Sequence, residues 1–173
     1  MLKAWHDLRE VFEVEDGSLP GLCEILFEDD EAVSMAFEYL RSISKPISSE
    51  FILYNLRLET DVPLISTKNP AKLVATGETE PFNVMLYGAL SAEKSDFPEL
   101  GVFVYPKELQ FYFYSGPHWS QDSLRRLFEI MATIAKEYEA KAIRSLLHDT
   151  QYFSDFGRCL KSITNRFWLR YKQ

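Results

Sequence analysis

The sequence predicts an α+β fold: a mainly antiparallel twisted sheet with two helices packed on one face and a C-terminal helix. Three observations carry that expectation. Apolar residues alternate at a period of two on both sides of Pro106-Lys107-Glu108, the mark of a β-hairpin. From Leu124 to Tyr138 they recur at helical spacing over four turns. Strand-like and helix-like stretches are interspersed but hairpins dominate, which favours α+β over a parallel α/β sheet. The 173 residues fit one ordinary domain, and 46% hydrophobic content gives a core that needs no disulfide or metal. Residues 1–173 are therefore read as a single domain.

Leu22 to Phe27 reads as a short strand, entered through the turn Asp16-Gly17-Ser18-Leu19-Pro20. A helix over about 30–44 follows, with Asp29 or Asp30 as N-cap and Val33, Ala36, Phe37 and Leu40 on one stripe. Phe51 to Leu56 is a second strand. Residues 57–81 contain Pro63, Pro70, Gly77 and Pro81 and read as a long irregular connection. Phe82 to Leu90 is strand-like, and Ser91 to Glu99 is a polar loop.

The central hairpin joins Gly101–Tyr105 to Leu109–Tyr114. Pairing Val104 with Leu109 puts Val102, Val104, Leu109, Phe111 and Phe113 on one face, with Phe103, Tyr105, Tyr112 and Tyr114 on the other. Gly116-Pro117 stops the strand. A helix over 120–139 starts at the N-cap Ser120, with Asp122 in its first turn and Trp119 placed to staple onto Leu124. Ala142 to Leu147 reads weakly as a strand. Phe156, Leu160, Ile163 and Phe167 give the C-terminal tail a helical stripe.

Composition excludes several functions. The net charge of −7 argues against direct nucleic-acid binding. Met1-Leu2-Lys3-Ala4-Trp5-His6-Asp7 has no apolar signal region and no apolar run approaches a membrane span, so a cytoplasmic protein without membrane contact is expected. Cys23 and Cys159, the two cysteines, form no C-x-x-C pair and are read as reduced packing thiols.

No residue pattern points to catalysis, metal or a cofactor. His6, His118 and His148 lie in no zinc-ligand spacing. His148-Asp149 lacks a nucleophile elbow, and Cys159 with His148 reads as a packing thiol beside a polar turn. Glu28-Asp29-Asp30-Glu31 lacks the order of a calcium loop. Gly116-Pro117 lacks a phosphate-binding glycine pattern. The basic tail residues Arg158, Lys161, Arg166 and Arg170 read as a solvated helix face.

Two distributed features point instead to binding. Residues 1–40 carry a net charge of −9 and residues 141–173 a net of +5. Either the two ends neutralise one another in the fold or are simply solvated, or the acids form a patch that steers a basic partner. The acids so identified are Glu13, Glu15, Asp16, Glu28, Asp29, Asp30 and Glu31. The second feature is the tyrosine face of Tyr105, Tyr112 and Tyr114, since tyrosine is enriched at interfaces.

A set of short motifs occurs in a characteristic order: Trp5-His6-Asp7-Leu8-Arg9, Asp16-Gly17-Ser18-Leu19-Pro20, Val62-Pro63-Leu64-Ile65, Asn69-Pro70-Ala71, Tyr114-Ser115-Gly116-Pro117-His118-Trp119 and Leu127-Phe128-Glu129. In that order the chain resembles a family of small bacterial proteins. Their size, acidity and build are similar to immunity proteins of polymorphic toxin and interbacterial competition systems. The resemblance implies a non-enzymatic protein that binds and occludes one cognate toxin, with a basic nuclease as the type that suits an acidic patch. It brings no catalytic residues. Two alternatives stand beside it: a small hydrolase using His148 or His118, and a homodimer joined through the aromatic hairpin.

Overall fold

The computed structural model describes residues 2–13, 21–48, 50–91, 98–146, 154 and 156–158. Helix α1 spans Leu2–Glu13, strand β1 Gly21–Leu26 and helix α2 Asp30–Ile43. A small hairpin follows, β2 over Ile52–Asn55 and β3 over Thr60–Pro63. A 3-10 turn at Leu64–Ser66 leads to the short helix α3, Pro70–Ala75. Strands β4 (Phe82–Leu86), β5 (Leu100–Tyr105) and β6 (Glu108–Phe113) precede helix α4 (Gln121–Glu137) and strand β7 (Ala142–Ser145).

Five strands form one sheet in the order β4-β5-β6-β1-β7, and every neighbouring pair is antiparallel. The β5–β6 register pairs Val104 with Leu109, as the sequence pattern predicts. Val102, Val104, Leu109, Phe111 and Phe113 are consequently all buried on the inner face. Phe37 of α2 meets Phe82 of β4 edge-on at 5.4 Å, and Phe12 of α1 lies 4.5 Å from Phe113 of β6. The α4 stripe of Leu124, Leu127, Phe128, Met131 and Ile134 joins the same core.

The helix starts follow from capping chemistry. The Asp29 carboxylate accepts the Ala32 N–H at 2.8 Å, and the Ser120 hydroxyl accepts the Ser123 N–H at 3.1 Å. Trp119 is buried ahead of α4, packed on Phe12 at 4.4 Å and Phe113 at 5.3 Å. Ser154 and Phe156–Arg158 are helical, whereas Leu160, Ile163 and Phe167 of the expected C-terminal stripe lie outside the described residues. Phe156 is buried against Phe128 at 5.2 Å.

Three differences from the sequence reading have physical causes. Residues 57–81 are not a long irregular connection but hold β3, the 3-10 turn and α3. The prolines sit where each is tolerated: Pro63 ends the strand β3 and Pro70 opens α3 after Asn69 in the left-handed region. Strand β4 ends at Leu86, because Tyr87 to Leu90 turn away. Helix α1, absent from the sequence reading, buries Leu8 and Phe12 and packs Trp5 and Val11 against the core, an apolar stripe interrupted in sequence by Lys3, His6, Asp7, Arg9 and Glu10. The turn at Asp16–Pro20 and the stretch His148-Asp149 lie outside the described residues.

Candidate partner-binding surface

The outer face of the five-stranded sheet carries the tyrosines. Tyr112 stands opposite Gly101, and its ring occupies the space a Cβ on Gly101 would take. Phe103 lies 5.0 Å from Tyr112 and 6.1 Å from Tyr105, so three rings run in series across β5 and β6. All three are half-buried. Tyr114 lies past the end of β6 and is exposed. The Tyr112 hydroxyl is pushed up to about 12, first by burial and then by the nearby Tyr114, Glu99 and Tyr87.

The acidic stretch is largely engaged within the fold. Glu24, on the same outer face, is buried and accepts a hydrogen bond from Arg144 at 3.0 Å, directly across from it on β7. Glu28 pairs with Lys141 at 3.0 Å, and Asp7 with Arg158 at 4.0 Å. These three ion pairs join the acidic N-terminal part of the chain to its basic C-terminal part. Glu31 faces Lys72 at 3.7 Å, and Asp29 is the α2 cap. Asp30 sits in the first turn of α2, where the helix dipole favours a carboxylate. Glu13 is exposed at the end of α1, away from the 28–31 corner in sequence, and Glu15 and Asp16 lie outside the described residues.

Cys23 is a buried free thiol on the inner face, its pKa raised by burial and then by the charge of Glu24. Cys159 is outside the described residues. His6 and His118 are exposed, and His118 borders a cavity of about 470 Å³ beyond the end of β6. Among the described residues, no group of three or more His, Cys, Asp or Glu is placed to hold a metal ion, and no helix is long and apolar enough to cross a membrane.

The most exposed apolar surface lies where the sequence reading placed a connection. Among the described residues seven large hydrophobic side chains are exposed, and five of them, Ile52, Tyr54, Leu56, Leu58 and Ile65, fall on or beside the β2–β3 hairpin. Leu58, in the turn, is 64% exposed and Ile52 56%. Ile52 and Tyr54 share the outer side of the hairpin with Pro63 and Asp61 opposite them, while Leu53 and Asn55 point inward and are buried. Around them Glu50, Glu59, Asp61 and Glu80 are exposed, and none of the four makes an ion pair among the described residues.

The hairpin is firmly built. Asn55 Oδ1 accepts the N–H groups of Arg57 at 3.0 Å and Leu58 at 2.8 Å, which fixes the turn. Leu56 N–H donates to the Glu78 carbonyl at 2.8 Å, and Asn55 bridges to Thr79, which ties β2 to the segment after α3. The available signal was the density of aliphatics, Leu56, Leu58, Val62, Leu64 and Ile65, in a stretch too long to be structureless inside a compact domain.

No protein-family model and no curated protein matches this chain. Among solved structures, a Pseudomonas aeruginosa T6SS protein is similar over 83% of this chain, at 10% sequence identity and a TM-score of 0.39. The chain spans 48% of that protein, about half its length.

Proposed function

We propose that the protein acts by binding: an immunity-type molecule that neutralises a cognate toxin by occluding it, with the β2–β3 hairpin at the centre of the contact. The observation that carries this reading is the hairpin surface itself, five exposed apolar side chains bordered by four acids that make no ion pair among the described residues. Exposed apolar side chains gathered in one place with a polar rim are the anatomy of a protein interface. These acids favour a partner with a basic rim and speed its encounter.

The acids at 28–31 take a smaller part in this proposal than the hairpin. Glu28 and Glu31 face lysines of the same chain and Asp29 caps a helix. The order of short sequence motifs supports the immunity context, and the exposed apolar side chains support the hairpin as the place of contact.

The test pairs the chain with the product of the adjacent reading frame in its source genome. That product, expressed alone in a bacterial host, is expected to stop growth, and co-expression of this chain to restore it. Ile52→Asp with Leu58→Asp is expected to abolish protection, with the thermal melt of the free protein kept. Reversal of Glu28, Asp29 and Asp30 to lysine is expected to cost less protection than the hairpin pair. Full protection by the folded hairpin variant would overturn the hairpin as contact, and a harmless neighbouring product that does not bind the chain would overturn the immunity reading.

A further inference from the structure

Strand β7 stands at one edge of the five-stranded sheet, and its sheet neighbour among the described residues is β1. Only Tyr138 to Lys141 separate it from α4. That turn is closed by the Tyr138 N–H donating to the Ile134 carbonyl at 3.2 Å and the Ala140 N–H donating to the Ala135 carbonyl at 3.1 Å. It holds Glu139 at φ +50°, the left-handed region, where a side chain carries strain that glycine avoids. Past the turn, the chain is held by residues that precede the turn. Lys141 N–H donates to the Leu26 carbonyl at 2.8 Å and Leu146 N–H to the Leu22 carbonyl at 3.0 Å. Lys141 and Arg144 reach the carboxylates of Glu28 and Glu24, each at 3.0 Å. Phe156 packs on Phe128 at 5.2 Å, and Arg158 lies 4.0 Å from Asp7.

We propose that two copies of this chain exchange β7, each copy's strand lying on the other's β1, with the turn at Glu139 as the hinge. Because these contacts run from one side of the hinge to the other, each is remade unchanged when the strand comes from a second copy. The exchange therefore loses none of them. Opening the hinge frees Glu139 from its left-handed conformation in both copies, and a short hinge under strain is the circumstance that favours exchange. The ends of the chain are matched for it: the acidic β1 side of one copy receives the basic β7 side of the other. Ile143, fully buried, is the apolar anchor of the exchanged strand, and Arg144 on the buried Glu24 sets its register. The exchanged dimer leaves the β2–β3 hairpin and its apolar side chains untouched, so it goes beyond the toxin-binding reading and does not depend on it.

The full chain is refolded from urea over a range of concentrations up to the millimolar, and its mass is measured by light scattering. A dimer that grows with the refolding concentration is expected. Glu139→Gly relaxes the closed hinge, and it is expected to raise the dimer dissociation constant on the order of tenfold. Charge reversal then separates strand exchange from any other dimer. Arg144→Glu sets two carboxylates against each other in the closed chain, and Glu24→Arg sets two guanidinium groups, so each variant alone is expected to melt well below the parent. Refolded together, the two variants can exchange β7, and both positions then regain an opposite-charge pair. The mixture is expected to give a heterodimer that recovers most of the lost melting temperature, even where neither variant folds alone. A parent chain that keeps the mass of one copy at every refolding concentration would overturn the proposal. So would a parent dimer whose two charge-reversed variants, refolded together, melt no higher than they do separately. A Glu139→Gly dimer as tight as the parent's would overturn the turn at Glu139 as the hinge.

Discussion

The β5–β6 and β2–β3 hairpins alternate side chains in the same way and have opposite fates. In β5–β6 the alternation divides a face that disappears under the helices from a face of half-buried rings. In β2–β3 it divides Leu53 and Asn55, which turn inward, from Ile52 and Tyr54, which are exposed. Both turns contain a non-glycine residue at positive φ, Lys107 at +57° in one and Glu59 at +49° in the other. The local chemistry of the two is therefore alike. What separates them is position: β5–β6 lies in mid-sheet with partners on both sides, whereas β2–β3 forms its own two-stranded sheet. The first hairpin stabilises the fold, and the second offers apolar area that remains available to a partner.

The largest effect is expected where the first hairpin is packed. Phe111 is fully buried at the centre of the inner face. Phe111→Ala should cost about 3–5 kcal/mol in urea unfolding and lower the melting temperature on the order of 10 °C. A loss below about 1 kcal/mol would mean that the inner face is not packed as a core, and the contrast between the hairpins would collapse. Next comes Gly101→Ala, which would drive a methyl group into the Tyr112 ring across the strand pair. Because that ring is half-buried and can tip aside, about 1–3 kcal/mol is expected. In the Tyr112→Ala background the same change should cost much less, and a double-mutant cycle measures the difference.

Tyr112 also gives the outer face a pH signature. Its hydroxyl is held at about 12 by burial, then by Tyr114, Glu99 and Tyr87. The unfolded chain releases that proton near a pKa of about 10. Between these values the native state binds more protons than the unfolded one, so stability falls with rising pH. The contribution is complete below about pH 10 and is lost as pH climbs through about 12. Tyr112→Phe should flatten the decline in urea midpoint over that window. An unchanged slope would show that the hydroxyl is not shielded on this face.

Legibility in the sequence divided along the same line as the hairpins. The β5–β6 register was readable down to the Val104–Leu109 pair, because both strands show a strict period of two and one face must be buried. Helices α2 and α4 were readable with their caps, since Asp29 and Ser120 stand just ahead of long apolar stripes. Helix α1 was not, although Trp5, Leu8, Val11 and Phe12 recur at helical spacing, because Lys3, His6, Asp7, Arg9 and Glu10 break up the stripe in the linear sequence. Strand β3 was hidden by Pro63, which reads as a breaker but sits at the strand end. The tyrosine series was readable from alternation, whereas the cavity beyond it joins Tyr87, Glu99 and Tyr114, which no spacing rule connects. The acidic stretch was visible as charge, but its pairing with Arg144, Lys141 and Arg158 is a property of the fold.

The smallest stability change, and the sharpest test of the comparison, belongs to the second hairpin. Ile52→Ser and Leu58→Ser remove side chains that are 56% and 64% exposed, so little burial is lost on folding. Each should alter stability by no more than about 0.5 kcal/mol, as surface substitutions do. Asn55 still holds the turn through its two backbone hydrogen bonds, so the hairpin itself should persist. Binding of a hydrophobic dye by the native protein should fall in the double variant, because the exposed apolar area has been removed. If the double variant instead loses more than about 2 kcal/mol, those side chains are covered in solution. Light scattering of the parent protein then identifies one cover directly: a mass that doubles with concentration and reverts in the variant would make the hairpin a contact between two copies of this chain. A mass that stays at one copy together with an unchanged stability would leave the hairpin as what its geometry describes, a rigid apolar ridge kept in water with acids around it.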